Sequence, residues 1–307
     1  MLGYIVRRCC FGVAVLIGTS IITFAIAFVV PADPAVAIAG AKADPQTLAM
    51  IRAELGLDQP IYVQYGRYLD RVLHGDMGRS YIMRESVTRL IVTRLPATAV
   101  LAVCAMALSL VIGVGMGVLA AAYRERALDN ALLVLSLVLV SVPVFWLGLM
   151  LLIVGGLYLH SFPLGGFSGA KSLILPTITL ALGSGGYYSR ILHTSLGEVM
   201  EQDYIRTALG KGVSRRRAML KHGLANALLP LVTLAGLDLA GLLSGVVLTE
   251  TVFDWPGIGR LAFEAVFNLD LPLIMGTVLF SAFLIVAANL AVDVLYAWLD
   301  PRIQLGT

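Results

Sequence analysis

Charge is what this 307-residue chain has least of: Lys, Arg, Asp and Glu make up 13% of it, against 59% hydrophobic residues. Soluble domains carry about 25% charged residues, so a water-soluble core has no use for this much apolar side chain. Mean hydropathy is +0.89, and a bilayer is the solvent that accepts it. The net charge of +3 is small and the basic residues form no extended patch, which argues against a nucleic-acid partner. Cysteine is scarce too. Cys9, Cys10 and Cys104 lie in or beside apolar runs without metal-ligand spacing, and they read as small buried hydrophobes. His74, His160, His193 and His222 are not spaced for a metal, and no HExxH occurs. A phosphate-binding G-x-x-x-x-G-K-[ST] loop is missing, since Gly210-Lys211-Gly212 lacks the rest of it. The chain is therefore expected to bind no cofactor or metal and to hydrolyse no ATP by the P-loop route.

What the chain has instead is long apolar runs. Crossing a hydrocarbon core takes about 20 helical residues. Six runs qualify: Cys9–Val30, Ala97–Ala122, Ala131–Leu159, Leu173–Ile191, Leu228–Thr249 and Leu273–Leu295. In lipid every backbone amide must be satisfied internally, so helices are the expected form. Barrel strands would be short and strictly alternating. The fold class is thus all-α, a polytopic membrane protein with six transmembrane helices. The first run exceeds the about 7–15 residues of a signal-peptide core, so it is read as an uncleaved span.

Basic residues set the orientation. Arg7 and Arg8, Arg124 and Arg126, the group Arg206, Lys211, Arg215, Arg216, Arg217 and Lys221, and Arg302 all fall on one side of six spans. Both termini are then cytoplasmic and Pro31–Pro96 lies outside. In that outer segment Asp44-Pro45 starts a helix, Leu48, Ile51, Leu55 and Leu57 give it an apolar stripe, and Gly56 ends it. Tyr62, Tyr65, Tyr68, Leu69 and Leu73 make a second stripe. The two helices either lie at the outer interface or form a folded cap on the spans. Within the spans, clustered glycines permit close helix approach, and Pro143 is expected to kink the third.

Carboxylates inside a bilayer are costly, about 2.5–3.5 kcal/mol at a helix centre on insertion scales. Asp238 sits midway along the fifth run, and Asn289 and Asp293 late in the sixth. Asp238 either lines a substrate path or is a hydrogen-bonded structural lock; Asp293 reads as a lock. The link Thr194–Ala227 is long for a helix connection. A short helix over Tyr204–Leu209, with a small face at Thr207 and Ala208, is followed by a turn at Gly210 and Gly212. Arg215–Arg217 then open a basic helix leading to Pro230. The link fits a groove in another protein or, equally, a basic surface touching anionic headgroups.

The stretch Asp203-Tyr204-Ile205-Arg206-Thr207-Ala208, with Lys211-Gly212-Val213-Ser214 and Asn226-Ala227-Leu228-Leu229-Pro230, resembles the EAA loop of ABC-importer permeases, in particular the dipeptide/oligopeptide branch. Leu95-Pro96-Ala97-Thr98, Ser141-Val142-Pro143-Val144-Phe145-Trp146, the Glu250–Gly259 segment and Leu299-Asp300-Pro301-Arg302 resemble it in order along nearly the whole chain. The resemblance implies the type I importer permease fold in a bacterial inner membrane. It further implies a second homologous permease, two ATP-binding subunits that would carry ATP and Mg, and an extracytoplasmic substrate-binding protein. It assigns coupling to the ATPase to Tyr204, Arg206, Thr207, Ala208, Gly210, Lys211 and Gly212. The motif's leading Glu is replaced by Arg206, and Leu209-Gly210 departs from its usual pair.

Three regions follow: 1–30, the cytoplasmic N-terminus and first span; 31–96, the extracytoplasmic segment; and 97–307, the permease core with the coupling loop 194–227. Candidates for the translocation path or gate are Asp238, Glu250, Phe253, Trp255, Pro256 and Gly257, the last group as an outer gate or binding-protein footprint. Permeases for nickel complexes or glutathione belong to the same branch. An ion-coupled secondary carrier is the rival class, but no inverted internal repeat is visible. An intramembrane enzyme would need paired catalytic groups at one depth, and none are found.

Overall fold

The computed structural model describes residues 2–29, 34–39 and 43–299, and among these every named element is helical. The chain begins with α1 (Leu2–Val29), α2 (Pro34–Ala39), α3 (Pro45–Leu55), α4 (Ile61–Leu73) and α5 (Val87–Ala122). Next come α6 (Ala127–Ser141) and α7 (Val144–Leu152), the latter running on as a π-helix over Ile153–Tyr158. α8 (Ala170–Met200) leads to the short α9 (Asp203–Gly210) and α10 (Arg215–Ala218); a π-turn at Met219–Gly223 precedes α11 (Leu224–Ala227). α12 (Leu229–Leu243), α13 (Val247–Val252), α14 (Ile258–Phe267) and α15 (Leu271–Leu299) complete it.

Among the described residues α1, α5 and α15 are each long and apolar enough to cross a membrane, and two bent pairs make up to five if each pair is one span. The fourth expected run lies inside α8, whose 31 residues extend about 46 Å, long enough for a bilayer, although its composition leaves it outside that set. α8 is richer in Ser, Thr and Gly than the others and buries much of its surface. Two expected spans differ from single straight rods. The third, Ala131–Leu159, turns by 93° between α6 and Val144, because Pro143 lacks the N–H and occupies the helix break. Each leg, at about 22 Å or less, falls short of the 30 Å core. The fifth, expected as Leu228–Thr249, stops at Leu243 and resumes at Val247.

The chain divides into two compact units. The first comprises 1–98, 243–247 and 256–307. Its core joins Val87, Leu90 and Ile91 of α5 to Ile258, Leu261 and Ala265 of α14 and Leu273 of α15. α5 starts ten residues before the expected run, and Pro96 sits inside it. Of the two readings of the outer helices, α4 follows the cap. Tyr68 is buried and stacks on Phe24 of α1 at 5.8 Å between ring centroids. Tyr65 meets the same ring edge-on at 5.3 Å, and its hydroxyl lies 2.9 Å from Ser20 Oγ. Tyr62 and Leu73, at the ends of the stripe, stay exposed. Asp44 occupies the N-cap of α3 without a side-chain cap bond, and Gly56 closes that helix in the left-handed region at φ 67°.

Asp270, buried just before α15, ties down the loop between α4 and α5. Ser80 donates its hydroxyl to one carboxylate oxygen, and the amides of Tyr81 and Ile82 donate at 3.2 and 3.3 Å. Burial, and then this carboxylate, push the Tyr81 phenol up to about 12, so it stays protonated at neutral pH. At Gly245, φ 107°, an added Cβ would stand 2.7 Å from the Gly259 nitrogen, so two backbones pass here with no room for a side chain.

The second unit comprises 99–242 and 248–255. α8 packs on α6 and α7. The expected close approach through glycine holds for particular residues: a Cβ at Gly117 would meet the Ser189 carbonyl oxygen at 2.9 Å, and one at Gly186 that of Ser136 at 2.8 Å. The cysteines correct their expectation. Cys9 and Cys10 are exposed on α1 and Cys104 is half-buried.

Candidate functional site

The link after α8 folds as a mounted helix. Gln202 precedes α9 as its N-cap residue, and Asp203 places a negative charge in the first turn, where the helix dipole favours it. Thr207 Oγ1 donates to the Asp203 carbonyl at 2.9 Å, and Arg206 lies 3.7 Å from the Asp203 carboxylate. Gly210 is the last helical residue. The turn that follows is reversed at Gly212, φ 84°. Its amide donates to the Leu209 carbonyl at 2.9 Å, and the Val213 amide reaches the Ala208 carbonyl at 3.2 Å. A left-handed glycine with this bonding is a standard helix stop.

Two side chains hold the helix in place. Ile205 is fully buried, and Tyr204 Oη accepts from Asn226 Nδ2 of α11 at 2.8 Å. Arg206, Thr207, Leu209, Gly210, Lys211 and Gly212 are exposed and Ala208 is half-buried. The structure therefore gathers the predicted coupling residues on one short helix and its stop. It also separates Tyr204, whose hydroxyl serves the mount, from the outward set.

Reasoning from sequence missed Ile205 as an anchor, although an isolated apolar residue between Tyr204 and Arg206 was the available signal. It also missed a buried pair close to this end of α8. Asp129, in the first turn of α6, accepts from the Glu125 amide at 3.0 Å, and its other oxygen lies 3.2 Å from His193 Nε2. No spacing links residues 129 and 193, so nothing in the sequence announced them.

Asp238 is half-buried and accepts the Tyr188 hydroxyl at 2.6 Å. Tyr188, fully buried, packs with Met106, Leu231 and Ala235, and its hydroxyl is 3.7 Å from Met106 Sδ. The carboxylate thus has the partner that the structural-lock reading requires, and Tyr188 is the residue the sequence did not single out.

In the Glu250–Trp255 stretch, Glu250, Phe253 and Trp255 are all buried. The chain reverses here: the Trp255 amide donates to the Glu250 carbonyl at 2.8 Å, and Asp254 takes φ 53°. Phe167 meets Trp255 edge-on at 5.0 Å, and the Gly166 amide donates to the Phe253 carbonyl at 3.0 Å. Trp255 is thus packed inward in this chain. Further on, Pro256 and Gly257 lead into α14, whose first amide, Ile258, donates to Thr98 Oγ1 at 2.8 Å. Two of the motifs noted in the sequence, Leu95–Thr98 and Glu250–Gly259, are joined by that bond.

Residues 113–305 match the family described as the inner membrane component of binding-protein-dependent transport systems, and residues 1–102 match the N-terminal region described for membrane components of the same systems. The chain belongs to this family. Among its relatives, a Brucella abortus (strain 2308) protein provisionally named a peptide transport system permease is 41% identical over 99% of both chains. The glutathione transport system permease GsiC of Salmonella paratyphi A is 38% identical over 99% of both. DdpB of Escherichia coli K12, provisionally named a D,D-dipeptide transport system permease, is 38% identical over 98% of both. The fold is also found in solved structures. An inward-facing MetNI methionine ABC transporter matches with a TM-score of 0.53 at 18% identity, covering 67% of this chain and 94% of that one. An amino acid ABC transporter matches with 0.52 at 15% identity, covering 70% and 94%. The family thus accounts for the helical membrane fold and for the order of motifs along the chain.

Proposed function

We propose that this chain is one of two pore-forming subunits of an ATP-driven importer of di- and oligopeptides in a bacterial inner membrane, with both termini cytoplasmic. A second, homologous permease, two ATP-binding subunits and an extracytoplasmic binding protein complete the machine. The observation that carries the reading is α9: an eight-residue helix fixed from behind by Ile205 and Asn226, with Arg206, Thr207 and Lys211 turned outward. A rigid, outward helix of this kind can enter a cleft in an ATPase and transmit its closure to α8 and α12. The peptide cargo rests on the names of the relatives at 38–41% identity.

The mechanism is alternating access. Nucleotide binding in the partner subunits favours one arrangement of the helices, and its energy reaches this chain as a difference in contacts at α9 between the two states. The Tyr188–Asp238 bond keeps α8 and α12 together while they move. A second cargo, glutathione, is supported by the similarity to a glutathione permease.

The test is gentle purification from native membranes, reconstitution into vesicles, and measurement of ATP hydrolysis and dipeptide uptake. Co-purification of a second permease and ATPase subunits is expected, with Gly212→Asp leaving hydrolysis but abolishing uptake. Uptake by the chain alone without ATP would overturn the proposal in favour of an ion-coupled carrier. Competition by glutathione against labelled dipeptide separates the two cargoes.

A further inference from the structure

The link after α9 carries a cleft that the coupling role leaves unused. Ser214, Arg216, Arg217, Leu220 and Lys221 line a shallow, open hollow of about 320 Å³. That is the lower end of small-ligand sites, about 300–1,000 Å³, and suits a single headgroup. The cations face one space because the helix changes register: from Met219 it continues as a π-turn, in which residues four and five apart stack, so 216, 220 and 221 align. Such turns are frequent at functional sites.

Among the described residues no carboxylate pairs with Arg216, Arg217 or Lys221, whereas Arg89, Arg206 and Arg260 each have an acidic partner three or four residues away in sequence. Three like charges around one hollow repel each other until an anion enters. Leu220, 43% exposed, puts an apolar surface beside them. Lys221 stands eight residues before Leu229, the first residue of the apolar α12, a distance of about 12 Å along a helix. A second bend, of 44°, separates α12 from the basic segment, which brings the cations closer still to the level where α12 begins.

We propose that this cleft seats the phosphodiester headgroup of an anionic phospholipid from the leaflet next to α9, with Arg216, Arg217 and Lys221 on the phosphate and Leu220 against the start of the acyl chains. The mixture of cation and exposed leucine favours a lipid over an acidic protein surface, which would meet a polar rim. A bound lipid would brace the helix on which α9 is mounted.

Native mass spectrometry of the full chain, with whatever subunits co-purify, during titration with phosphatidylglycerol and phosphatidylcholine reads the affinity of the tightest site. Wild type should prefer phosphatidylglycerol. Arg217→Gln should weaken that binding about fivefold and Arg216→Gln with Lys221→Gln about 25-fold, while phosphatidylcholine is unaffected. Arg126→Gln, an exposed cation outside the cleft, should leave phosphatidylglycerol binding unchanged. Equal losses in Arg126→Gln, or none in the double variant, would overturn the proposal. Displacement of the lipid by millimolar inorganic phosphate would assign the cleft to a free anion instead. Unchanged lipid binding with loss of the ATPase subunits would assign it to an acidic partner surface.

Discussion

The α9 helix and the Glu250–Trp255 turn are equally conspicuous in the sequence, yet the folded protein uses them in opposite ways. Along α9 most motif residues are exposed, and the anchoring falls to Ile205 and the Tyr204 hydroxyl. Along the turn Glu250, Phe253 and Trp255 are all interior and Asp254 alone is exposed. A motif therefore marks a constraint without saying which kind. In one case the motif residues are left on the surface; in the other they are packed into a reversal of the chain.

Substitutions can break this contrast. Trp255→Ala removes a fully buried aromatic and its edge contact with Phe167, and should lower stability by about 3–5 kcal/mol, read by denaturant or thermal unfolding in detergent. A near-native unfolding midpoint together with lost transport would instead place Trp255 among the gate residues. Ile205→Ala should cost about 2–5 kcal/mol locally; faster hydrogen exchange confined to α9, with hydrolysis uncoupled from uptake, is the expected outcome. Tyr188→Phe leaves the Asp238 carboxylate without its 2.6 Å donor and should cost about 1–3 kcal/mol. If unfolding is unchanged but uptake falls, Asp238 lines the path rather than locking the helices. Arg206→Ala and Lys211→Ala alter exposed side chains and should shift stability by no more than about 0.5 kcal/mol. Their effect belongs in coupling, measured as uptake per ATP hydrolysed, and a normal ratio in both would remove α9 from the coupling role.

How much could be read in advance varied with the kind of interaction. The helical membrane character, the Pro143 break, the stop at Gly212 and the helix start at Asp44-Pro45 were legible, because each depends on composition, on a residue's own backbone preference or on neighbours a few positions away, whereas the number and bounds of the spans were not. The partners of the candidate residues were not. Tyr188 meets Asp238 across 50 positions, Asp129 meets His193 across 64, and Thr98 meets Ile258 across 160. Each pair joins different helices, and no periodicity in one helix reports which residue of another will lie opposite. The stripe on α4 showed that an apolar face existed, but not whether lipid or Phe24 would cover it.

The sequence by itself determined the solvent and the menu of elements: too little charge for water, runs long enough for lipid, and backbone amides that lipid forces into helices. It also determined particular breaks and stops, at Pro143 and Gly212. Tertiary structure alone decided which side chains of a helix face inward. That choice made Trp255 an interior anchor, left Arg206 and Lys211 outside, and turned Arg216, Arg217 and Lys221 around one cleft. Burial is a property of what packs against a residue, and the packing partner comes from a distant part of the chain.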